Sequence, residues 1–307
     1  MLISLEVEII NYHEPVLINE TIDLLLANVN DSKAKVYIDG TLGGGSYTKR
    51  ILELTENDVK ILAVDRDINA IEHSGKVLQD FPGRVIFCNS NFADIAELIR
   101  KYPDIIAGQK VSGLVLDLGL SSYQLNYEEG FSYQRDTELD MRADKGIQGG
   151  LKAKDVLNTY PENDLLNIFK EYGELKYSRQ ITKDIIYYRG KKKFETTSDL
   201  VDVLKLKIPA RYLNKDLSKV FQALRIEVNN ELDNLKKVLN DTVDFLETGG
   251  RIAVVSYHSL EDRIVKNIFR SNEKLKVITK KPVIPGDEEV EKNVRARSAK
   301  LRAAEKI

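Results

Sequence analysis

A chain of 307 residues, 42% hydrophobic and 31% charged, is long enough to bury a full core and carry an added unit. A net charge of −2 excludes a protein that is basic overall, and a single cysteine, Cys88, excludes intrachain disulfides and a cysteine-built structural zinc site. No apolar run approaches a membrane span, and Met1–Glu8 carries acids where an export signal carries bases, so the expectation is a cytoplasmic protein with no membrane partner.

In chain order, the first strong pattern is the β-branched run Val36–Thr41, followed by Gly43, Gly44 and Gly45 and then a helix-like segment from Ser46. Glycine lacks a Cβ, so the main chain there can take positive φ and approach a ligand, while the first N–H groups of the helix offer donors. The glycines alone are equally compatible with an ordinary flexible turn. A second run, Lys60–Asp65, supplies what a turn does not need: Asp65, placed to accept both hydrogens of a ribose diol. The glycine spacing is not the G-x-G-x-x-G that seats a pyrophosphate. S-adenosyl-L-methionine (SAM), which has a ribose and no phosphates, therefore fits better than NAD.

Two more strand-like runs follow, Arg84–Asn89 and Val111–Leu118, with Cys88 as a small buried hydrophobe. The four recur about every 25 residues with helical stretches between them, the alternation of a parallel α/β sheet. From Gly130 to Arg211 there is no convincing strand, only the helical patterns Ala153–Thr159, Glu162–Tyr172 and Arg179–Tyr188, linked by glycine, lysine and Thr196-Thr-Ser. One long helix is predicted over Asp216–Leu246, stopped by Thr248-Gly-Gly, before a fifth strand at Arg251–Tyr257. The expected division is a first part of the sheet domain at 1–129, an inserted helical substrate-recognition domain at 130–212, and the second part with a basic C-terminal tail at 213–307.

Asp117 ends the fourth strand, at the sheet edge where ligands of open α/β sheets bind. An acceptor there can hold an exocyclic amine and offset charge developing on its nitrogen, with capping and turn formation as the alternative for Asp117 and Ser121. His258, after the fifth strand, is either a general base, a base-edge donor or a structural histidine. Ser259 and Asp262 read as a capping box. On the long helix Gln222, Arg225 and Asn229 share one polar stripe, a kit for a nucleobase edge and a phosphate as well as plain surface. Positive charge concentrates in residues 170–219, including Lys191-Lys-Lys193, and in residues 295–307, where Arg295, Arg297, Lys300 and Arg302 could track phosphates.

Taken together, Tyr12-His-Glu-Pro-Val16, Asp39-Gly-Thr41, Asp65-Arg-Asp67, Leu116-Asp-Leu-Gly119 with Ser121-Ser122, Gly130-Phe-Ser-Tyr133, Leu139-Asp-Met-Arg142, Phe221–Asn229, Ser256–Arg263 and Arg295–Arg302 closely resemble the bacterial 16S ribosomal RNA (cytosine-N4)-methyltransferases. The resemblance runs from about residue 12 to the C-terminus. It implies a Rossmann-like SAM-dependent methyltransferase sheet with an inserted all-helical domain, methylating the N4 amine of a cytidine in the decoding centre of 16S ribosomal RNA within the small subunit, with no DNA partner expected. By position it places cofactor contacts at Gly45, Ser46, Tyr47, Asp65, Phe92, Asp117 and Gln124. Asp117 leads as the amine acceptor, His258 and Asp140 follow for base handling, and Arg142, Gln222, Arg225, Asn229, Arg295 and Arg297 are RNA candidates, with no metal. Ser46-Tyr47 stands where the family usually has Gly-His, Thr137-Glu138 replaces a common Gly-Pro, and residues 209–220 lack the usual His-Pro-Ala-Thr-Arg. A DNA amino-methyltransferase is the rival enzyme, disfavoured because no Pro-Pro-aromatic follows Asp117. A non-catalytic SAM-binding assembly factor is the rival of another class.

Overall fold

The computed structural model describes residues 15–28, 35–102, 110–119, 125, 128–146 and 149–307. Strands β1 (Val36–Asp39), β2 (Lys60–Asp65), β3 (Val85–Asn89) and β4 (Val111–Asp117) are mutually parallel. Helices α1 (Ile18–Leu26), α2 (Ser46–Leu54), α3 (Ile68–Val77) and α4 (Ile95–Lys101) pack around them. Near-continuous apolar runs form these strands because both sheet faces are covered. Ile38, Leu62, Val64, Leu114 and Leu116 point to one core, while Tyr37, Ile61, Ala63 and Val115 point to the other against α1 and α2.

The chain then leaves the sheet. Helices α5 (Ala153–Thr159), α6 (Glu162–Asn167, continued by a π turn at Ile168–Tyr172), α7 (Ser178–Arg189) and α8 (Thr197–Lys205) pack with the first part of α9 (Ala210–Asn229) around Phe169, Ile185, Phe194, Leu200, Leu217 and Phe221. The segment read as a Thr-Thr-Ser linker opens α8: Thr196 is its N-cap, and the Asp199 carboxylate accepts from the Thr196 N–H at 3.1 Å.

Three further features depart from the sequence reading. The single helix expected over Asp216–Leu246 is two, α9 and α10 (Glu231–Thr242), separated at Asn230, whose φ of 50° lies in the left-handed region that asparagine tolerates. The apolar periodicity runs through the break, but Leu217, Val220 and Leu224 bury in the helical cluster, whereas Leu235, Val238 and Leu239 bury against the sheet. Next, Gly249 and Gly250 do not stop a helix. They lie inside β5 (Leu246–Ser256), where a register irregularity opposite Val111 and Gly113 lets Gly249 take φ 86°. The basic tail, finally, is a strand.

That strand, β7 (Lys300–Lys306), lies antiparallel between β5 and β6 (Leu275–Val277), completing the order β3-β2-β1-β4-β5-β7-β6. Leu301, Ala303 and Ala304 are fully buried, and Arg302 is buried with its guanidinium on Asp262. The four consecutive buried residues Leu301–Ala304 make this a covered strand despite its charged ends. The sheet order reverses between β1 and β4, which opens a crevice beyond their carboxyl ends.

Candidate active site

Three acids end three neighbouring strands at this crevice: Asp39 on β1, Asp65 on β2 and Asp117 on β4. The turn after β1 is shaped by Gly43 and Gly45, with φ of 49° and 80°, and is held from three sides. Gly43 N donates to Asp65 Oδ2 at 2.8 Å, Ser74 Oγ donates to the Gly43 carbonyl at 2.8 Å, and Thr41 N donates to Asp39 Oδ1 at 3.2 Å. Gly40 is required for packing, because a Cβ there would lie 2.4 Å from a methyl of Leu116. The turn therefore has one built conformation, not the freedom its glycines suggest.

Burial pushes the Asp39 carboxyl up to about 6, and Thr48, whose hydroxyl donates to Asp39 Oδ2 at 2.7 Å, opposes that shift. Burial also raises Asp65, opposed by the N–H groups of Asp67 and Gly43. Asp65 so serves the turn with one face and lines the cavity, together with Gly43, Gly44, Ser46, Tyr47, Ser90, Phe92, Asp117 and Glu231. Helix α2 opens onto this cavity from Gly45 with no side chain capping it, leaving a helix N-terminus aimed inward. The Tyr47 ring is buried and its hydroxyl donates to the Val16 carbonyl at 2.5 Å, so this residue offers the cavity its backbone.

Asp117 is 7% exposed, and its N–H donates to Thr41 Oγ1 at 2.6 Å, which ties β4 to the glycine turn. Facing its carboxylate is Tyr257, whose phenol is pushed far above its ordinary pKa by burial and by Asp117, so it stays protonated. Gly119 makes that approach possible, since a Cβ there would be 2.7 Å from the Tyr257 ring. Tyr257, Thr41 and Gly119 carried no role in the sequence reading, although all three lie inside motifs that it quotes.

His258 does not reach the cavity as a free base. It is the N-cap of α11 (Ser259–Ser271): its Nδ1 accepts from Glu261 N at 3.4 Å, Nε2 lies 3.2 Å from Glu261 Oε1, and Glu261 Oε2 accepts from the Tyr257 N–H at 2.9 Å. The capping pair is thus His258 with Glu261, not Ser259 with Asp262. Ser259 instead donates to Glu174 Oε2 at 2.6 Å, and Asp262 accepts from Arg302 Nε at 2.6 Å. Against the raising effect of burial, His258 and Arg225 hold Glu261 below the usual glutamate range. Glu231, His258 and Glu261 bring potential ligand atoms within 4.8 Å of one another, but the Glu231 oxygens lie 2.8 and 2.9 Å from Arg225 and Glu261 closes the cap.

The polar stripe of α9 is spent inside the protein. Gln222 Nε2 donates to the Tyr172 carbonyl at 3.0 Å, and Arg225 clasps Glu231 bidentately. Asn229 is buried; its amide donates to the Met141 carbonyl at 2.8 Å, while its Oδ1 accepts from Ala143 N at 3.0 Å and Arg66 Nη1 at 3.3 Å. Asp140 sits outside the cavity lining, paired with Arg142 at 2.7 and 2.8 Å and with Lys152 at 3.1 Å; against the effect of burial, hydrogen bonds from Arg142 and Lys152 lower its pKa. Arg295 and Arg297 are exposed on a 3-10 turn before β7. Gln124 lies outside the described residues, as do Tyr12, His13, Ser121 and Ser122.

The sheet order, the glycine turn and the acids at the carboxyl edge define a Rossmann-like SAM-dependent methyltransferase. Comparison with known proteins makes this particular: the model of the MraW methylase family matches residues 11–307, and the chain belongs to that family. The "Ribosomal RNA small subunit methyltransferase H" of Carboxydothermus hydrogenoformans is 44% identical, over 96% of this chain and 98% of its own length. The proteins of the same name from Clostridioides difficile and Fusobacterium nucleatum are 42% and 41% identical, covering 96% and 97% of this chain and 99% and 98% of theirs.

Proposed function

We infer that the protein transfers a methyl group from SAM to the N4 amine of a cytidine in 16S ribosomal RNA. The observation that carries this reading is the single cavity shared by Asp65, the uncapped start of α2 and Asp117, a ribose acceptor, an anion-binding helix end and an amine acceptor. Its donor set fits SAM: Asp65 for the ribose hydroxyls, the first N–H groups of α2 for a carboxylate, and Phe92 beside the ring system. When bound, SAM supplies the electrophilic methyl.

The remaining work falls to the chain. Cytosine N4 is a weak nucleophile because its lone pair is delocalised into the ring. Asp117, held by the Thr41 contact and kept company by a protonated Tyr257, accepts a hydrogen bond from the amine, draws its lone pair out of conjugation, offsets positive charge as the nitrogen is alkylated and takes the proton that the alkylated nitrogen sheds. The base must leave its stack to reach this recessed site, which favours an irregular or unpaired RNA segment.

The small-subunit setting of the RNA, a cytoplasmic location and the division into sheet parts at 1–129 and 213–307 with a helical unit at 130–212 belong to the same reading. The separate helical core supports a helical unit, and that core runs on through Leu224 of α9, beyond the boundary at 212. Among the described residues no helix is long and apolar enough to cross a membrane. Incubating the protein with labelled SAM and protein-free 16S RNA, assembled small subunits or DNA tests the assignment. Label in N4-methylcytidine of the RNA is the expected result, and label confined to DNA, or absent from all three, overturns it.

A further inference from the structure

The helical unit carries a basic and aromatic corner that the cofactor cavity does not use. Two stretches form it, Tyr187–Lys193 at the end of α7 and Lys205–Lys215 from the end of α8 into α9, and neither contains an acid. They are neighbours: α8 packs on both α7 and α9, and the Lys207 charge acts on the Tyr187 phenol. Large apolar groups stand in solvent here, with Tyr187 67%, Tyr212 46% and Leu206 80% exposed. Each tyrosine ring is covered by a cation, Lys191 Nζ at 4.1 Å from the Tyr187 centroid and Arg211 Cζ at 4.6 Å from that of Tyr212.

Flat π-faces flanked by positive charge are what unstacked bases and phosphates need. Charge alone would also suit an acidic protein surface; it is the pair of exposed rings set among the cations that favours unstacked bases. Lys192 and Lys205 are engaged by Asp199 and Asp202, at 2.6 and 3.8 Å, whereas Lys207 and Arg211 are exposed beside the rings and Lys191 is exposed with its Nζ donating to the Tyr187 hydroxyl at 2.5 Å. Arg211 and Asn229 lie at opposite ends of one helix, about 27 Å apart at 1.5 Å per residue, and Asn229 bonds Arg66 at the cavity wall.

We propose that this corner is a remote RNA anchor, in which Tyr187 and Tyr212 stack unpaired bases and Lys191, Lys207 and Arg211 contact phosphates, roughly 30 Å from the methylated cytidine. The proposal rests on the reading of ribosomal RNA as substrate and adds to it a second contact point. An RNA that spans both points is held in register; a short oligonucleotide carrying only the target cytidine and its immediate neighbours reaches the cavity and misses the corner.

The test compares wild type with Y187A/Y212A, Y187F/Y212F and K191Q/K207Q/R211Q in binding and methylation of small subunits, a long protein-free 16S RNA fragment and a short oligonucleotide, with SAM affinity as the control for folding. The alanine pair should raise Kd and KM for both long RNAs about ten-fold or more, leaving kcat and SAM affinity in place, while the phenylalanine pair stays near wild type. The glutamine triple should reduce the magnitude of the log K against log salt slope by about 2. Unchanged long-RNA affinity in the alanine pair and an unchanged salt slope overturn the anchor, as does a loss confined to assembled subunits, which assigns the corner to a ribosomal protein. If wild type methylates no RNA, the assigned reaction fails, yet the binding arm still reads the corner.

Discussion

Asp65 and Asp117 act through neighbours that their substitution also disturbs. Asp65→Ala removes the proposed ribose acceptor and the anchor of Gly43 N together, so SAM affinity should fall about ten- to a hundred-fold by calorimetry. Asp65→Asn keeps an acceptor for the glycine turn and should lose less; equal affinity in wild type and the alanine variant would remove Asp65 from the cofactor site. Asp117→Ala should cut single-turnover methylation at saturating SAM by about a hundred-fold or more, since it deletes the proposed amine acceptor and leaves Tyr257 facing an apolar gap. A rate within a few-fold of wild type would transfer the amine to another acceptor. His258 has a different expectation. Because it caps α11 through Glu261, His258→Ala should lower stability by about 1 kcal/mol and affect kcat only through that loss.

Between elements, two joints hold the site in place. Asn229 ties the end of α9 to Met141, Ala143 and Arg66, so the helical unit, the loop beneath it and the end of β2 meet at one buried amide. Asn229→Ala leaves the Met141 carbonyl and the Ala143 N–H without partners and should destabilise by about 2–4 kcal/mol in denaturant unfolding, with Asp a poor replacement because it lacks the donor. The second joint is Asp262 with Arg302, between α11 and β7. Arg302→Ala leaves the Asp262 carboxylate, 14% exposed, with Lys300 at 3.4 Å as its remaining cation, and should cost about 1–3 kcal/mol in denaturant unfolding. Removing positive charge from the tail wholesale therefore confuses folding with RNA contact. Arg297, exposed ahead of the strand, is the position at which an RNA role is most cleanly read.

Across the molecule, several acids are crowded at one end of a chain whose net charge is only −2. Beside Asp65 and Asp67, burial pushes the Glu128 carboxyl up to about 7, with Lys145 opposing the shift from 3.4 Å. A carboxyl whose folded pKa exceeds its unfolded value contributes stability that is full below the unfolded pKa and is lost as pH rises through the folded one. The apoprotein should thus lose stability between about pH 4.5 and 7. Glu128→Gln should flatten that slope and raise stability at pH 8 by about 1–3 kcal/mol, read from unfolding midpoints across pH. A variant with the wild-type pH slope would place the titration elsewhere.

Local chemistry was legible in the chain itself. Strands β1 to β4, the positive-φ glycines of the turn and the acids closing the strands follow from apolar runs, from the missing Cβ and from side chains that end where a strand must stop. Such features depend on neighbours in sequence, which a reader of sequence sees. Where a side chain spends its hydrogen bonds does not. Gln222, Arg225 and Asn229 look like a solvent-facing stripe by helical spacing, but Gln222 and Arg225 are half-buried with their hydrogen bonds spent on Tyr172 and Glu231, and Asn229 is buried against Met141 and Ala143. The basic tail became a strand because Lys300–Lys306 pairs antiparallel with both β5 and β6, and the half-buried Asp262 there neutralises Arg302. Charge and periodicity are properties of a segment, whereas burial and pairing are properties of the segment together with whatever the rest of the chain brings against it.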